Sequence, residues 1–169
     1  MALDNRIRKA YILIKTFLRL GNKPDRHKTV QEVSISILLE EVLEELSEDY
    51  PVYERIDLEI PHRVCVFADL ELTKTLMTNL VQNALQHFSA NIMIRLTDHE
   101  LELLEELPDH TKDHARVGAD DIKGLHHSSG IDGWDFHTAS LICKRSGWRL
   151  SATDDAESGK SIRLNFNNS

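Results

Sequence analysis

At 169 residues, with 41% hydrophobic and 28% charged residues, the chain has the size and balance of one globular domain with a short appendage, and wholesale disorder is excluded. A formal charge of −8 without any Lys/Arg-dense stretch argues against a phosphate-backbone partner, so nucleic acid is not an expected ligand. No apolar run approaches the roughly 18 to 20 residues that cross a bilayer, and Met1 to Lys9 holds no signal-peptide core, so a cytoplasmic location is expected, for a whole protein or for a piece of a larger one.

The first segment sets Leu3, Ile7, Ala10, Ile14 and Phe17 at 4-3-4-3 spacing before Gly21 and Pro24 stop it, which predicts a helix with a coiled-coil-like seam. Further apolar residues at Tyr11, Ile12, Leu13 and Leu18 widen that stripe toward a bundle helix, and a lone helix so apolar calls for a partner, such as the same helix of a second copy. Asn22 to Gln31 reads as a polar linker, so the chain divides into a helical segment with linker, residues 1–28, and a domain over 29–169.

Ser34 or Ser36 can then cap a helix with Leu38, Leu39, Val42, Leu43 and Leu46 on one face and glutamates 40, 41, 44, 45 and 48 on a solvated one. Ile56, Leu58 and Ile60 alternate as a strand, and Val64 and Val66 predict another after the Pro61 turn. Asp69 has the character of an N-cap for a long helix to about His87, which buries Leu72, Leu76, Leu80, Ala84 and Phe88. Short strands follow at Ile92 to Leu96 and Leu101 to Leu104. From Glu105 to Gly130 periodicity is lost, and a loop of that length inside a compact domain is usually functional or disordered. A helix over Trp134 to Arg145, ended by Ser146-Gly147, and strands at Trp148 to Thr153 and Ser161 to Phe166 complete the chain. The order predicts an α+β fold: a two-layer α/β sandwich, a mixed sheet with helices on one face, preceded by a helical dimerisation-type segment.

Cys65 and Cys143 sit among apolar neighbours without CxxC spacing and read as reduced core residues. His126, His127 and His137 lack the helical His-and-carboxylate pairing of a zinc site, so no structural metal is expected there.

Asn79-Leu80-Val81-Gln82-Asn83-Ala84 on the long helix resembles the N box of the histidine kinase catalytic domain, a member of the GHKL ATPase superfamily. Val33-Ser34-Ile35 with Leu38, Leu39 and Val42 is similar to that family's approach to the N box, and Val66-Phe67-Ala68-Asp69 to the strand-end aspartate that opens it. Gly130-Ile131-Asp132-Gly133 before a helix, Ser146-Gly147, and a hairpin with Ser158-Gly159 resemble the G2 box and final strands, so the likeness spans roughly Val33 to Phe166. The resemblance implies ATP and magnesium as ligands, with Asn83 on the metal, Asn79 beside the phosphates, and Gly130 and Gly133 in the phosphate loop; His87 stands near the family's basic or aromatic position. Residues four apart on a helix share a face, so both amides can enter one cleft. Magnesium accepts an amide oxygen together with phosphates and water.

The chain departs from the family after the strand Leu101 to Leu104. No glycine occurs between Asn22 and Val117, and Glu105-Glu106-Leu107-Pro108-Asp109 stands where the resemblance implies DxGxG, whose aspartate takes the adenine amino group. Glu106 or Asp109 is the candidate replacement carboxylate; nothing replaces the glycines. Asp132 lies where a phosphate should approach, and a carboxylate repels it unless magnesium intervenes. The first helix contains no histidine to accept a phosphoryl group. Two readings follow: the ATP-binding portion of a two-component sensor histidine kinase, serving a phosphoacceptor histidine elsewhere and a response regulator, or a catalytically degenerate kinase-like domain acting as a homodimeric adaptor in a phosphorelay. Hydrolysing or protein-serine kinase relatives resemble ExxxN here; position 79 is asparagine, so their general base is missing.

Overall fold

The computed structural model describes residues 2–21, 30–107, 132–155 and 159–166. Helix α1 (Ala2–Gly21) is followed by β1 (Val30–Ser34), α2 (Ile35–Leu46), the single turn α3 (Val52–Arg55), β2 (Ile56–Glu59), β3 (Cys65–Asp69), α4 (Leu70–His87), β4 (Asn91–Leu96), β5 (Glu100–Glu106), α5 (Asp132–Ser146), β6 (Arg149–Asp155) and β7 (Gly159–Asn165). None of the described helices is long and apolar enough to cross a membrane.

Five strands form one mixed sheet in the order β2-β4-β5-β7-β6, with β2 parallel to β4 and the remaining neighbours antiparallel. The register aligns Ile94, Leu103, Ile162 and Ala152 in one cross-strand row and Leu96, Leu101, Leu164 and Leu150 in the next. All eight are buried, so this face meets the helices. The row between them points the other way and carries Glu59, Arg95, Glu102 and Arg163 side by side. Arg95 pairs with Glu59 at 2.7 Å and Glu102 at 3.3 Å, and Arg163 pairs with Glu102 at 2.6 Å. Alternating charges across the strands favour this register over a slipped one.

Helices α2 and α4 have the faces their sequences predict. Every apolar residue named for them above is buried, and Lys74 of α4 reaches across to Glu45 (2.7 Å) on the acidic side of α2. Asp69 caps α4 by accepting from the Leu72 N–H at 3.0 Å. Of the two candidate caps for α2, Ser34 fills the role, while Ser36 lies in the first turn, accepting from the Val64 N–H (2.9 Å) and donating to the His62 carbonyl (3.4 Å). Gly147 ends α5 at φ 74, and the Trp148 N–H returns to the Cys143 carbonyl at 2.8 Å.

Three features differ from expectation. Residues Val30 and Gln31, read as linker, belong to β1, which pairs with β3 in a separate two-stranded ribbon; only Val33 of β1 is buried, so its sequence carries almost no alternation. The turn α3 after Pro51 is too short for helical periodicity to register. Cys143 is a buried free thiol, whereas Cys65, expected in the core, is exposed on β3. Burial pushes the Cys143 thiol up to about 12.

The link between α4 and β4 is held by Arg55, whose guanidinium donates to the carbonyls of Leu85 (2.8 Å), Phe88 (2.6 Å) and Ala90 (2.8 Å). A cation at a helix C-terminus also complements the dipole. Arg55→Met keeps the packing volume and removes all three donors; it is expected to cost about 3 kcal/mol, read as a Tm lowered by roughly 6 to 12 °C in thermal unfolding.

Candidate functional site

Burying the leucine stripe of α4 fixes the direction of every other side chain on that helix. Asn79 and Asn83 fall about 40° apart around its axis, next to the stripe rather than opposite it. Both are more than nine-tenths buried, at 8% and 6% exposure. The amide nitrogens of both are buried, and neither donates to any acceptor among the described residues. A buried donor with no acceptor costs about 1–3 kcal/mol, so two of them side by side can donate to any acceptor that reaches them.

One turn further on, Gln86 shares this side of the helix. Its amide nitrogen donates to the Tyr50 hydroxyl at 2.7 Å, as does that of Gln82 at 2.9 Å, so both neutral amides are tethered to the segment that follows α2. His87, the last residue of α4, is partly buried, and its carbonyl accepts from the Lys160 ammonium at 2.7 Å.

Strand alternation separates the acidic pair at the end of β5. Glu105 continues the phase of Leu101 and Leu103 and lies on the helix-facing side. Glu106 pairs with Asn91, is exposed, and shares the phase of Glu102 and Leu104 on the outer side. One Glu105 oxygen accepts from the Ser89 and Ala90 N–H groups, the latter at 3.2 Å, and the other accepts from the Lys160 N–H at 3.1 Å. Burial pushes the Glu105 carboxyl up, but the three backbone donors and the Lys160 ammonium outweigh it and hold the group below the ordinary glutamate range. A depressed pKa in the folded state means this group stabilises fully above its unfolded pKa, about 4.3, and ceases to as pH falls through the lower folded value. Gly159, at φ 80, closes the same corner: a Cβ there would stand 3.2 Å from Leu107 Cγ and 3.3 Å from the Glu105 carbonyl oxygen.

Of the residues singled out from sequence, the structure therefore brings together Asn79 and Asn83, with His87 a turn away. Gly133 lies in the first turn of α5, a helix that packs against α4. Asp109 and Gly130 lie outside the described residues. Glu105 and Lys160 are the two the sequence reading missed. The signal for Glu105 was present in the Leu101, Leu103, Glu105 alternation; for Lys160 none exists in the sequence, since its contacts are 55 and 73 positions away.

The fold has known counterparts. The cytoplasmic segment of the histidine kinase QseC superposes with a TM-score of 0.64 over 95% of this chain and 94% of its own, at 14% identity. The Acinetobacter baumannii histidine kinase AdeS gives 0.65 over 97% and 81%, at 13% identity. Full-length ShkA in complex with AMPPNP gives 0.60 over 90% of this chain and 34% of its own, at 16% identity. The chain thus has the mixed α+β fold of histidine kinase catalytic, ATP-binding domains. No family model and no curated protein matches it by sequence.

A magnesium-bound polyphosphate fits the amide end of this site, because an asparagine offers a carbonyl oxygen to the metal and N–H donors to phosphate oxygens. The cost of the two amides gives a direct check. Asn83→Leu, which exchanges an unpartnered buried amide for a similarly shaped apolar group, is expected to stabilise the ligand-free protein by about 1 kcal/mol in urea unfolding. A loss of stability of that size instead would mean that the amide already has its acceptor within the chain.

Proposed function

We propose that the chain binds magnesium–ATP by its phosphates and serves as the ATP-binding catalytic portion of a two-component sensor histidine kinase. The observation that carries this reading is the pair of buried, unpartnered amide nitrogens on Asn79 and Asn83, on a fold similar to that of ShkA, whose full-length crystal structure is a complex with AMPPNP. Asn83 would hold the magnesium through its carbonyl oxygen, and Asn79 would orient the phosphate chain through its amide hydrogens. Gly133, with the expected Gly130, would contribute at the start of α5, and His87 would flank the site. Bound ATP supplies the γ-phosphoryl group. The work left to the protein is positioning and charge neutralisation, which needs few reactive side chains. Helix α1 holds no histidine, so the acceptor belongs to another segment or protein, with a response regulator downstream. The QseC counterpart is a cytoplasmic segment, and we assign this chain the same side of the membrane.

A second reading keeps the scaffold and drops the transfer: a homodimeric adaptor in a phosphorelay. The engagement of Glu105 with backbone donors favours it, and so does α1. Ile7, Tyr11, Ile14 and Leu18, spaced 4-3-4, are exposed by 61%, 66%, 60% and 64%. The helix turns Thr16 and Leu20 toward the domain, where the Arg145 guanidinium donates to the Leu20 carbonyl at 3.0 Å and Lys15 stands 3.6 Å from Glu71. Under either reading α1 would be the second helix of a dimerisation hairpin, pairing with its copy along the Leu3 to Phe17 seam.

Isothermal titration of magnesium–ATP separates the two. The kinase reading predicts binding in the micromolar to sub-millimolar range that Asn83→Ala weakens by at least about tenfold, equivalent to 1.4 kcal/mol. Absence of binding at millimolar ATP by folded protein would overturn it in favour of the adaptor. Independently, sedimentation equilibrium is expected to give a dimer mass for the intact chain and a monomer mass for Ile14→Glu/Leu18→Glu; a folded wild-type monomer would remove the α1 pairing.

A further inference from the structure

Glu105, the carboxylate on the helix-facing side at the end of β5, immediately precedes Glu106, which with Asp109 was the expected acceptor for a base amino group, and it is not free. A carboxylate offers about four lone-pair sites, and three here are taken by the N–H groups of Ser89, Ala90 and Lys160. Turning the side chain toward a ligand would strand all three donors. Its neighbour Glu106 lies in the opposite strand phase, on the outer face of the sheet.

We infer that Glu105 is a positioning residue, tying the end of α4 to the β6–β7 hairpin, and that this engagement leaves, among the described residues, no free carboxylate at the helix-facing end of β5 to choose between purine bases. The ligand half of this inference rests on the nucleotide-binding reading above; the clamp half does not. Asn83 lies one turn before the clamped junction, so loosening Glu105 moves a phosphate-binding amide and weakens all nucleoside triphosphates alike. Loss of a base-reading group would instead penalise one base. The charged groups around the junction are Lys160, Arg55 and, when protonated, His87.

The test combines two readouts on the full chain and on Glu105→Gln. In titrations of magnesium–ATP and magnesium–GTP, the variant is expected to lose affinity for both by the same factor, the ATP:GTP ratio staying within about twofold, as befits a change of well under 1.4 kcal/mol in selectivity. A selective loss of ATP by about tenfold or more would make Glu105 a base reader and overturn the inference. In amide hydrogen exchange, protection at Ser89, Ala90 or Lys160 is expected to fall by about tenfold or more in the variant; unchanged protection at all three would overturn the clamp. If Glu105→Gln does not fold, the wild-type amide resonances decide: the three are expected to shift together with one midpoint below the ordinary glutamate range, and independent behaviour would overturn the clamp. If the wild type binds neither nucleotide, the nucleotide-binding reading fails, and the clamp stands or falls on the amides alone.

Discussion

The turn from α4 into β4 is where the fold is held. Helix ends leave carbonyls without partners, and a helix that stops against a sheet must satisfy them without water. Here two cations from distant parts of the chain do so: Arg55 binds the carbonyls of Leu85, Phe88 and Ala90, and Lys160 binds that of His87. Glu105 takes the N–H groups of Ser89 and Ala90. Five residues of backbone, Leu85 and His87 to Ala90, are thereby gripped from the β2 side, the β7 side and the β5 side at once. The grip ties the end of α4 to the segment that enters β2, to the final hairpin and to β5, while the buried leucine stripe sets the azimuth of the helix.

Azimuth matters because α4 has two duties. Its leucine stripe supplies the central layer of the core, with Leu76, Leu80 and Ala84 fully buried. The same rotation that seats those residues carries Asn79 and Asn83 out of reach of solvent and of every described acceptor. Two amides of this kind are a stability loss accepted in the free protein, and they are tolerable only because the leucines beside them make the helix position non-negotiable. The site is therefore a by-product of core geometry in its placement and an exception to core chemistry in its composition.

Much of this was legible from residues alone because it depends on local pattern. Asp69 as a cap, the leucine faces of α2 and α4, and Gly147 as a stop each need only a few consecutive residues to be read. Ribbon strand β1 was not legible, since its pairing with β3 depends on residues some 35 positions on, and its exposed face has no apolar rhythm. Cys65 was misplaced for the same reason: apolar neighbours in sequence do not say which side of a two-stranded ribbon is covered. At the end of β5 the composition Glu105-Glu106 was visible, but the choice between them turns on a phase of one residue, and only the strand's extension to Glu106 settles it. The Arg55 and Lys160 contacts are long-range and have no sequence signature at all.

The grip on the α4–β4 turn has a temporal side. Its partners come from residue 55, residue 105 and residue 160, so during synthesis the turn is made well before the last of them emerges. Until Lys160 arrives, one oxygen of Glu105 and the His87 carbonyl each lack a partner, and closing the corner requires more than fifty residues of intervening chain to come together. The amide-bearing stretch of α4 thus reaches its final setting only with the final hairpin. A chain halted before β7 has its helices and its leucine stripe but lacks the corner that aims the site, which makes completion of the site and completion of the fold a single event.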